Sequence, residues 1–317
     1  MNFLVTGGAG FIGSHVIEKL LTDNHSVVCV DNFDDFYDPS VKRRNLSEAS
    51  SRDGFRLVEG DIRDQSVLDQ CFSGDPVDAV IHLAARAGVR PSLLQPELYY
   101  DVNVIGTLRI LEMMRKHDVS RMFFASSSSV YGNNSKTPFS ETDSVDNPIS
   151  PYAASKKAGE LLCHTYHHLY GFDIHCVRFF TVYGPRQRPE MAIHNFVKRI
   201  MNEEPIIMYG DGTSQRDYTY IEDILDGIMK SLAHLKGYEI INLGESRTTA
   251  LSKLVATIEN AVEKKAVIQR QPMQPGDVQV TFADITKAKR MLGYQPRCSV
   301  EYGVEKFIDW FQKTNHT

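Results

Sequence analysis

The stretch FLVTGGAGFIGSHV, which begins at Phe3, constrains this chain more than any other. An apolar run ends at Thr6, an amphipathic pattern starts within a few residues, and Gly7, Gly10 and Gly13 stand at the junction. A strand that turns straight into a helix needs Gly7 for the tight turn and Gly13 where helix packs on strand. Gly10 then lets a pyrophosphate approach the uncapped N–H groups and the positive end of the helix dipole. A second apolar run, VVCVDNF, stops at Asp31. A carboxylate there accepts hydrogen bonds from a ribose 2′-hydroxyl and repels a 2′-phosphate, which favours NAD over NADP.

The rhythm that follows supports a sheet. Strands are expected at residues 3–5, 26–30, 55–58, 79–82, 121–125 and 174–180, and helices at 12–22, 40–48, 66–72, 97–116 and 152–170. Such alternation implies a parallel sheet wrapped by helices on both faces. Beyond Gly184 the pattern loosens into the strands of IIMYGDG and YEIINLG, three more helices and a Pro-rich linker at 271–276. Two domains are expected, 1–180 (regaining roughly 219–245) and 181–317. Asp61 and Ile62 close the third strand and Leu83, Ala84 and Ala85 the fourth, so both sets are expected along a dinucleotide, which lies beyond the carboxyl ends of strands.

Composition narrows the partners. With 42% apolar and 24% charged residues and a net charge of −5, the chain reads as an ordinary globular protein without a nucleic-acid surface. Five cysteines without a CxxC pair read as free thiols of a reducing compartment. No signal peptide is expected ahead of the first strand, nor a run long enough to cross a membrane, so a cytoplasmic location is expected. No metal site is expected.

Three stretches carry chemistry. SPYAASKKAGE puts Tyr152 and Lys156 four apart on one helix face. Tyrosine titrates near 10, too high for a base at neutral pH, and a neighbouring ammonium favours its phenolate. FFASSSSVYG ends a strand in four serines, whose hydroxyls either cap the turn or relay a proton; Ser127 is the expected catalytic one. VRFFTVYGPRQRPEMA breaks at Gly184-Pro185 and continues with Arg186 and Arg188, which are either solvated or clamp an anion.

TGGAGFIGSH, SSSSVYG, YAASK and GDGTSQRDYTYIEDI together resemble the extended short-chain dehydrogenase/reductases of nucleotide sugars, over essentially the whole chain. The resemblance implies an α/β fold, a Rossmann-type doubly wound parallel sheet with a smaller mixed α/β substrate domain. It also implies Phe11, Ile12, Asn32 and Asn103 beside the cofactor, with Tyr152 and Lys156. Dehydratases of this family carry Asp-Glu where Ser128-Ser129 stand, and decarboxylases typically carry Glu at Ser129. What remains is 4-epimerisation, in which Tyr152 takes the O4 proton, C4 gives its hydride to NAD, and the hydride returns to the other face.

DNFDDFYDPSVKRRNL and AARAGVRPS resemble the UDP-glucuronate 4-epimerases, many of which have Gln at Arg86. Their 4-keto intermediate is a β-keto acid that loses CO2 when its C5–C6 bond aligns with the carbonyl. Arg188, helped by Thr181, is the expected grip on that carboxylate. The resemblance implies Ser128, Ser129, Phe196, Ile207, Tyr209, Arg216 and Asp277 along the rest of the UDP-sugar. An epimerase for neutral UDP-glucose or UDP-N-acetylglucosamine, a UDP-glucuronate decarboxylase and, outside the enzymes, a redox-sensing NAD-binding regulator on the same fold are the competing readings. Helices 97–116 and 152–170 carry apolar residues on more than one face (Leu108, Leu111, Met114; Leu161, Leu162, Tyr166, Leu169), and the resemblance implies that such helices pair across a two-fold axis, so a homodimer is expected.

Overall fold

In the computed structural model, which describes residues 1–274 and 276–315, strands and helices alternate from the start. The order is β1 (Asn2–Thr6), α1 (Phe11–Thr22), β2 (Ser26–Asp31), α2 (Pro39–Asn45), β3 (Phe55–Glu59), α3 (Gln65–Cys71) and β4 (Ala79–His82). Then come α4 (Val89–Leu94), α5 (Pro96–Tyr100), α6 (Gly106–Lys116), β5 (Arg121–Ser127), α7 (Pro151–Tyr170) and β6 (Asp173–Phe179). These strands and β11 below form one seven-stranded sheet in the order β11-β6-β5-β4-β1-β2-β3. Neighbours run parallel from β3 through β2, β1 and β4 to β5. The chain winds outward from β1 to β3, then returns to place β4 on the other side of β1. That reversal is the switch point of a Rossmann-type doubly wound sheet, where ligands lie.

The core follows from the sequence pattern. Leu4, Val30, Val80 and Met122 of the strands pack with Val67 and Leu68 of α3, Ile110, Leu111 and Met114 of α6, and Cys163 and Tyr166 of α7. Leu111, Met114 and Tyr166 are therefore spent inside this fold rather than left for a partner. Leu108 and Leu162 are partly buried against the same core, and Leu161 and Leu169 stay exposed.

The remaining elements are β7 (Thr181–Tyr183), α8 (Ala192–Met201), β8 (Ile206–Tyr209), β9 (Gln215–Arg216), β10 (Tyr218–Tyr220), α9 (Ile221–Ala233), β11 (Tyr238–Leu243), β12 (Thr249–Ala250), α10 (Leu251–Val262), β13 (Ile268–Gln271), α11 (Thr286–Leu292) and α12 (Val300–Asn315). Among the described residues five helices thus follow Gly184 where three are expected. The stretch read as one helix over 97–116 is α5, a π-helical turn at Asp101–Ile105 and α6. The expected linker at 271–276 begins inside β13, which pairs with β8; Pro275 of that linker and the last two residues of the expected second domain lie outside the described residues.

Two compact units emerge: Met1–Gly132, Ser144–Arg178 and Ile228–Ile241 in one, and Asn133–Asp143, Phe179–Gly227 and Asn242 onward in the other. Segment 133–143 joins the second unit because its backbone is stitched there. Phe139 N–H donates to Phe282 O at 2.7 Å, and Asp284 N–H donates to Phe139 O at 2.9 Å. Among the described residues no helix is long and apolar enough to cross a membrane, and no group of three or more His, Cys, Asp or Glu could hold a metal ion.

Candidate active site

The glycine turn is dictated by crowding. Gly7 has φ +69°, and a Cβ there would lie 2.7 Å from the backbone of Ala84. A Cβ on Gly13 would lie 2.4 Å from Gly7 O, so α1 could not close on β1. Gly10 caps α1 without a side-chain acceptor, which leaves the first-turn N–H groups at Phe11 and Ile12 without a side-chain cap. These features fit a dinucleotide pyrophosphate. Asp31, 8% exposed at the end of β2, accepts hydrogen bonds from Ala9 N–H (3.1 Å) and Phe33 N–H (2.9 Å). Burial pushes its carboxyl pKa up, against the pull of nearby Lys42 and of those two N–H groups. Asn32 Nδ2 donates to Asp61 Oδ2 at 3.0 Å. Burial raises the Asp61 pKa, but Arg63 outweighs it, and the net shift is downward. Ile62 is buried beneath the turn into α3.

Leu83 and Ala84 are held against β1, and half-buried Ala85 follows them. Leu83 N–H donates to Thr6 O at 3.1 Å, and Ala84 N–H to Thr6 Oγ1 at 3.1 Å. The same hydroxyl meets His82 Nδ1 at 2.6 Å, and His82 Nε2 meets Thr107 Oγ1 at 2.9 Å. Burial, with Lys156 nearby, drives the His82 pKa down to about 3, so this ring is a neutral strut. Nothing local in the sequence marks that role. Asn103 sits in the π-helical turn, 2% exposed. Its Oδ1 accepts from Arg86 N–H (2.8 Å), and its Nδ2 donates to Arg86 O (3.0 Å) and Ser155 Oγ (2.9 Å). Its amide therefore braces the loop after β4 against α7.

Tyr152 and Lys156, the expected reactive pair, stand in the first two turns of α7. Ser150 caps the helix by accepting from Ala153 N–H at 3.1 Å, and Pro151 fills the first turn, where a missing N–H costs nothing. Tyr152 is half-buried, its ring edge-on to Tyr99 at 6.2 Å. Lys156 is 5% exposed, donates from Nζ to Ala125 O at 2.8 Å, and lies 5.4 Å from the Phe124 ring. Burial lowers its pKa to about 8. Ser127 ends β5, and its Oγ accepts from Ser129 N–H at 3.1 Å. That oxygen caps the short 3₁₀ turn of Ser128–Tyr131 while its own proton remains available to donate. Ser126 instead donates to Glu160 at 2.6 Å. Glu160 and Arg178, 0% and 1% exposed in their side chains, form a two-pronged ion pair with both contacts at 2.8 Å, which the motif reading missed.

The second unit holds the other expected residues. Thr181 heads β7, where it pairs with Tyr218 of β10. The chain then turns at Gly184 and Arg186, both at positive φ, and Gln187 locks the turn by donating to Val182 O at 3.0 Å. Arg188 Nε lies 3.1 Å from Glu190 Oε1, and its side chain is 21% exposed. The guanidinium already bears a carboxylate. Phe196 is buried in α8, whereas Ile207 and Tyr209 are half-buried and share the face of β8 opposite buried Ile206 and Met208. Arg216 Nη1 donates to Gln215 O (2.9 Å) and Gln279 O (3.3 Å), and Asp277 N–H donates to Gln274 O (3.2 Å). Asp217, which lies inside the GDGTSQRDYTYIEDI motif without an expected role there, is wholly buried and accepts from the N–H groups of Glu245, Ser246 and Ala283 at 2.7–3.1 Å. It knots three loops of this unit together.

Comparison with known proteins fits this geometry. Residues 4–307 match the model of the family described as GDP-mannose 4,6 dehydratase. A UDP-glucuronate 4-epimerase of Thermodesulfobacterium geofontis is 47% identical over 97% of this chain and 95% of its own. The crystal structure of UDP-glucuronic acid 4-epimerase from Bacillus cereus, in complex with UDP-glucuronic acid and NAD, is similar with a TM-score of 0.93. It is 35% identical, over 99% of this chain and all of that one. A UDP-glucose 4-epimerase of Thermotoga maritima with UDP-glucose has a TM-score of 0.91 at 34% identity, over the same shares. The chain belongs to the GDP-mannose 4,6-dehydratase family, among the extended short-chain dehydrogenase/reductases.

Proposed function

We propose that this protein is an NAD-dependent 4-epimerase that interconverts UDP-glucuronate and UDP-galacturonate. The observation that carries this reading is its likeness, nearly end to end, to a UDP-glucuronate 4-epimerase at 47% identity. NAD, held along Gly7–Gly13, Asp31 and residues 83–85, supplies a hydride acceptor for the sugar C4 that also returns the hydride. Tyr152 takes the O4 proton and gives it back, and the buried ammonium of Lys156 favours its phenolate. Ser127 donates its proton toward the same oxygen. Ser128 and Ser129 offer only hydroxyls where a dehydratase needs an acid and a base, so elimination of water across C5–C6 has no catalyst. Arg188 and Thr181 hold the C6 carboxylate, which keeps the C5–C6 bond out of line with the ketone and prevents loss of CO2. Phe196, Ile207, Tyr209, Arg216 and Asp277 hold the uridine diphosphate. The protein works as a cytoplasmic homodimer.

A neutral-sugar epimerase is the second reading, favoured by the likeness to the Thermotoga maritima enzyme. Incubation with UDP-glucuronate and NMR of the products separates the two, with a mixture of UDP-glucuronate and UDP-galacturonate expected. Arg188→Ala should weaken UDP-glucuronate binding by about tenfold to a hundredfold and leave UDP binding nearly unchanged. Turnover of UDP-glucose alone would overturn the glucuronate reading. Equal losses for both ligands would move Arg188 to the phosphates.

A further inference from the structure

Arg86 lies in the loop after β4, and nothing in the proposed chemistry uses it. Its backbone is fixed, since N–H and C=O both bind the Asn103 amide, at 2.8 and 3.0 Å. Its side chain, 14% exposed, leaves its own loop. Nη1 donates to Asp34 Oδ1, Nη2 donates to Gln95 Oε1 at 3.3 Å, and the guanidinium carbon lies 5.1 Å from the centre of the Phe36 ring. Asp34 is equally tied at its end. Its carboxylate accepts from Phe36 N–H at 2.9 Å, its N–H donates to Asn32 Oδ1 at 3.0 Å, and its C=O accepts from Lys42 Nζ at 2.8 Å.

The strand order gives this ion pair its meaning. Asp34 belongs to the loop after β2 and Arg86 to the loop after β4, and β1 lies between those strands in the sheet. A bridge from one loop to the other therefore passes over the carboxyl end of β1, where the Gly7–Gly13 turn receives the pyrophosphate. We propose that Arg86 and Asp34 form a strap across the dinucleotide, a positioning pair that sets how slowly the cofactor leaves. An epimerase returns its hydride within one turnover and gains nothing by exchanging cofactor, so a strap suits this chemistry better than that of a dehydrogenase. A guanidinium reaches both partners and stacks on Phe36, which a glutamine amide cannot do with charge.

The strap rests on the NAD reading, and one experiment separates their failures. Protein is loaded with NADH, and loss of bound-state fluorescence is followed after a chase with excess NAD. Arg86→Gln and Asp34→Asn should each release NADH about tenfold faster or more, the scale of one charge-assisted contact. The double variant should be no faster than either single one, because both remove one interaction. Arg86→Lys should recover part of the retention, which a merely structural lesion at this position would not allow. Release from the parent should quicken with added salt and that from the variants much less. Off-rates within twofold of the parent in both single variants, or multiplying in the double, would overturn the strap while leaving NAD binding intact. Failure of the parent to bind NADH or NAD would overturn both.

Discussion

Lys156 places an ammonium where charge is costly, between the Phe124 ring and the carbonyl of Ala125 with 5% of its surface exposed. Burial brings its pKa from about 10.4 in an unfolded chain to about 8 in the fold. Between those values the unfolded chain holds a proton that the folded chain has released, so stability rises with pH there. Below about 8 both states are protonated and the penalty is constant. Lys156→Met cannot titrate, so the stability of the parent relative to this variant should be flat up to about pH 8. It should then climb toward pH 10, by at most about 3 kcal/mol. Urea denaturation of dinucleotide-free protein at a series of pH values measures it. A flat difference throughout would mean that the ammonium is solvated and that its electrostatic hold on Tyr152 is weak.

At the scale of elements, α7 carries the proposed reactive pair, Tyr152 and Lys156, and must be fixed against the sheet. The two-pronged Glu160–Arg178 contact binds it to β6, and Ser126 of β5 joins the same carboxylate. Arg178→Met would leave the buried Glu160 carboxylate with only Ser126 and the more distant Lys157 ammonium at 3.5 Å, at a cost of about 3–5 kcal/mol. Glu160→Leu combined with Arg178→Met removes both charges and should recover most of that loss. A single-variant cost below about 1 kcal/mol in urea denaturation, or additive costs in the pair, would show that the helix is held by apolar packing instead. This contact was not legible beforehand, because residues 18 apart in sequence meet only once the sheet exists. The Gly7–Gly13 turn, Asp31 and the Tyr152–Lys156 spacing were legible because each is a local pattern. The π-helical turn at Asp101–Ile105 was hidden inside an unbroken helical periodicity, since it answers to Asn103 and its distant partners. β13 escaped notice because IQRQ is exposed throughout and lacks any apolar alternation. β7 and β10 are three residues each, and their pairing of Thr181 with Tyr218 leaves no nearby signal.

For the whole molecule, the question is what covers the outer face of α7. Leu161 is 57% exposed and Leu169 60%, and with Thr165 they recur every four residues, so they share one stripe. Tyr170 at its end is 47% exposed, and Ile105, at the approach to α6, is 41% exposed. An isolated exposed leucine needs no explanation, but a stripe along one helix face does. The chain's net charge of −5 is small enough that self-repulsion does not forbid pairing. In a two-fold pair each stripe meets the same stripe of the other copy, so one patch serves both sides. Light scattering at micromolar concentration should therefore give a mass near 72 kDa, about twice the 35.8 kDa of one chain. Leu161→Glu with Leu169→Glu should shift the protein to monomer while circular dichroism stays unchanged, because neither side chain contributes to the core cluster. A parent that is monomeric at that concentration would leave the stripe without this role. A double-glutamate variant that remains dimeric would place the interface on another face.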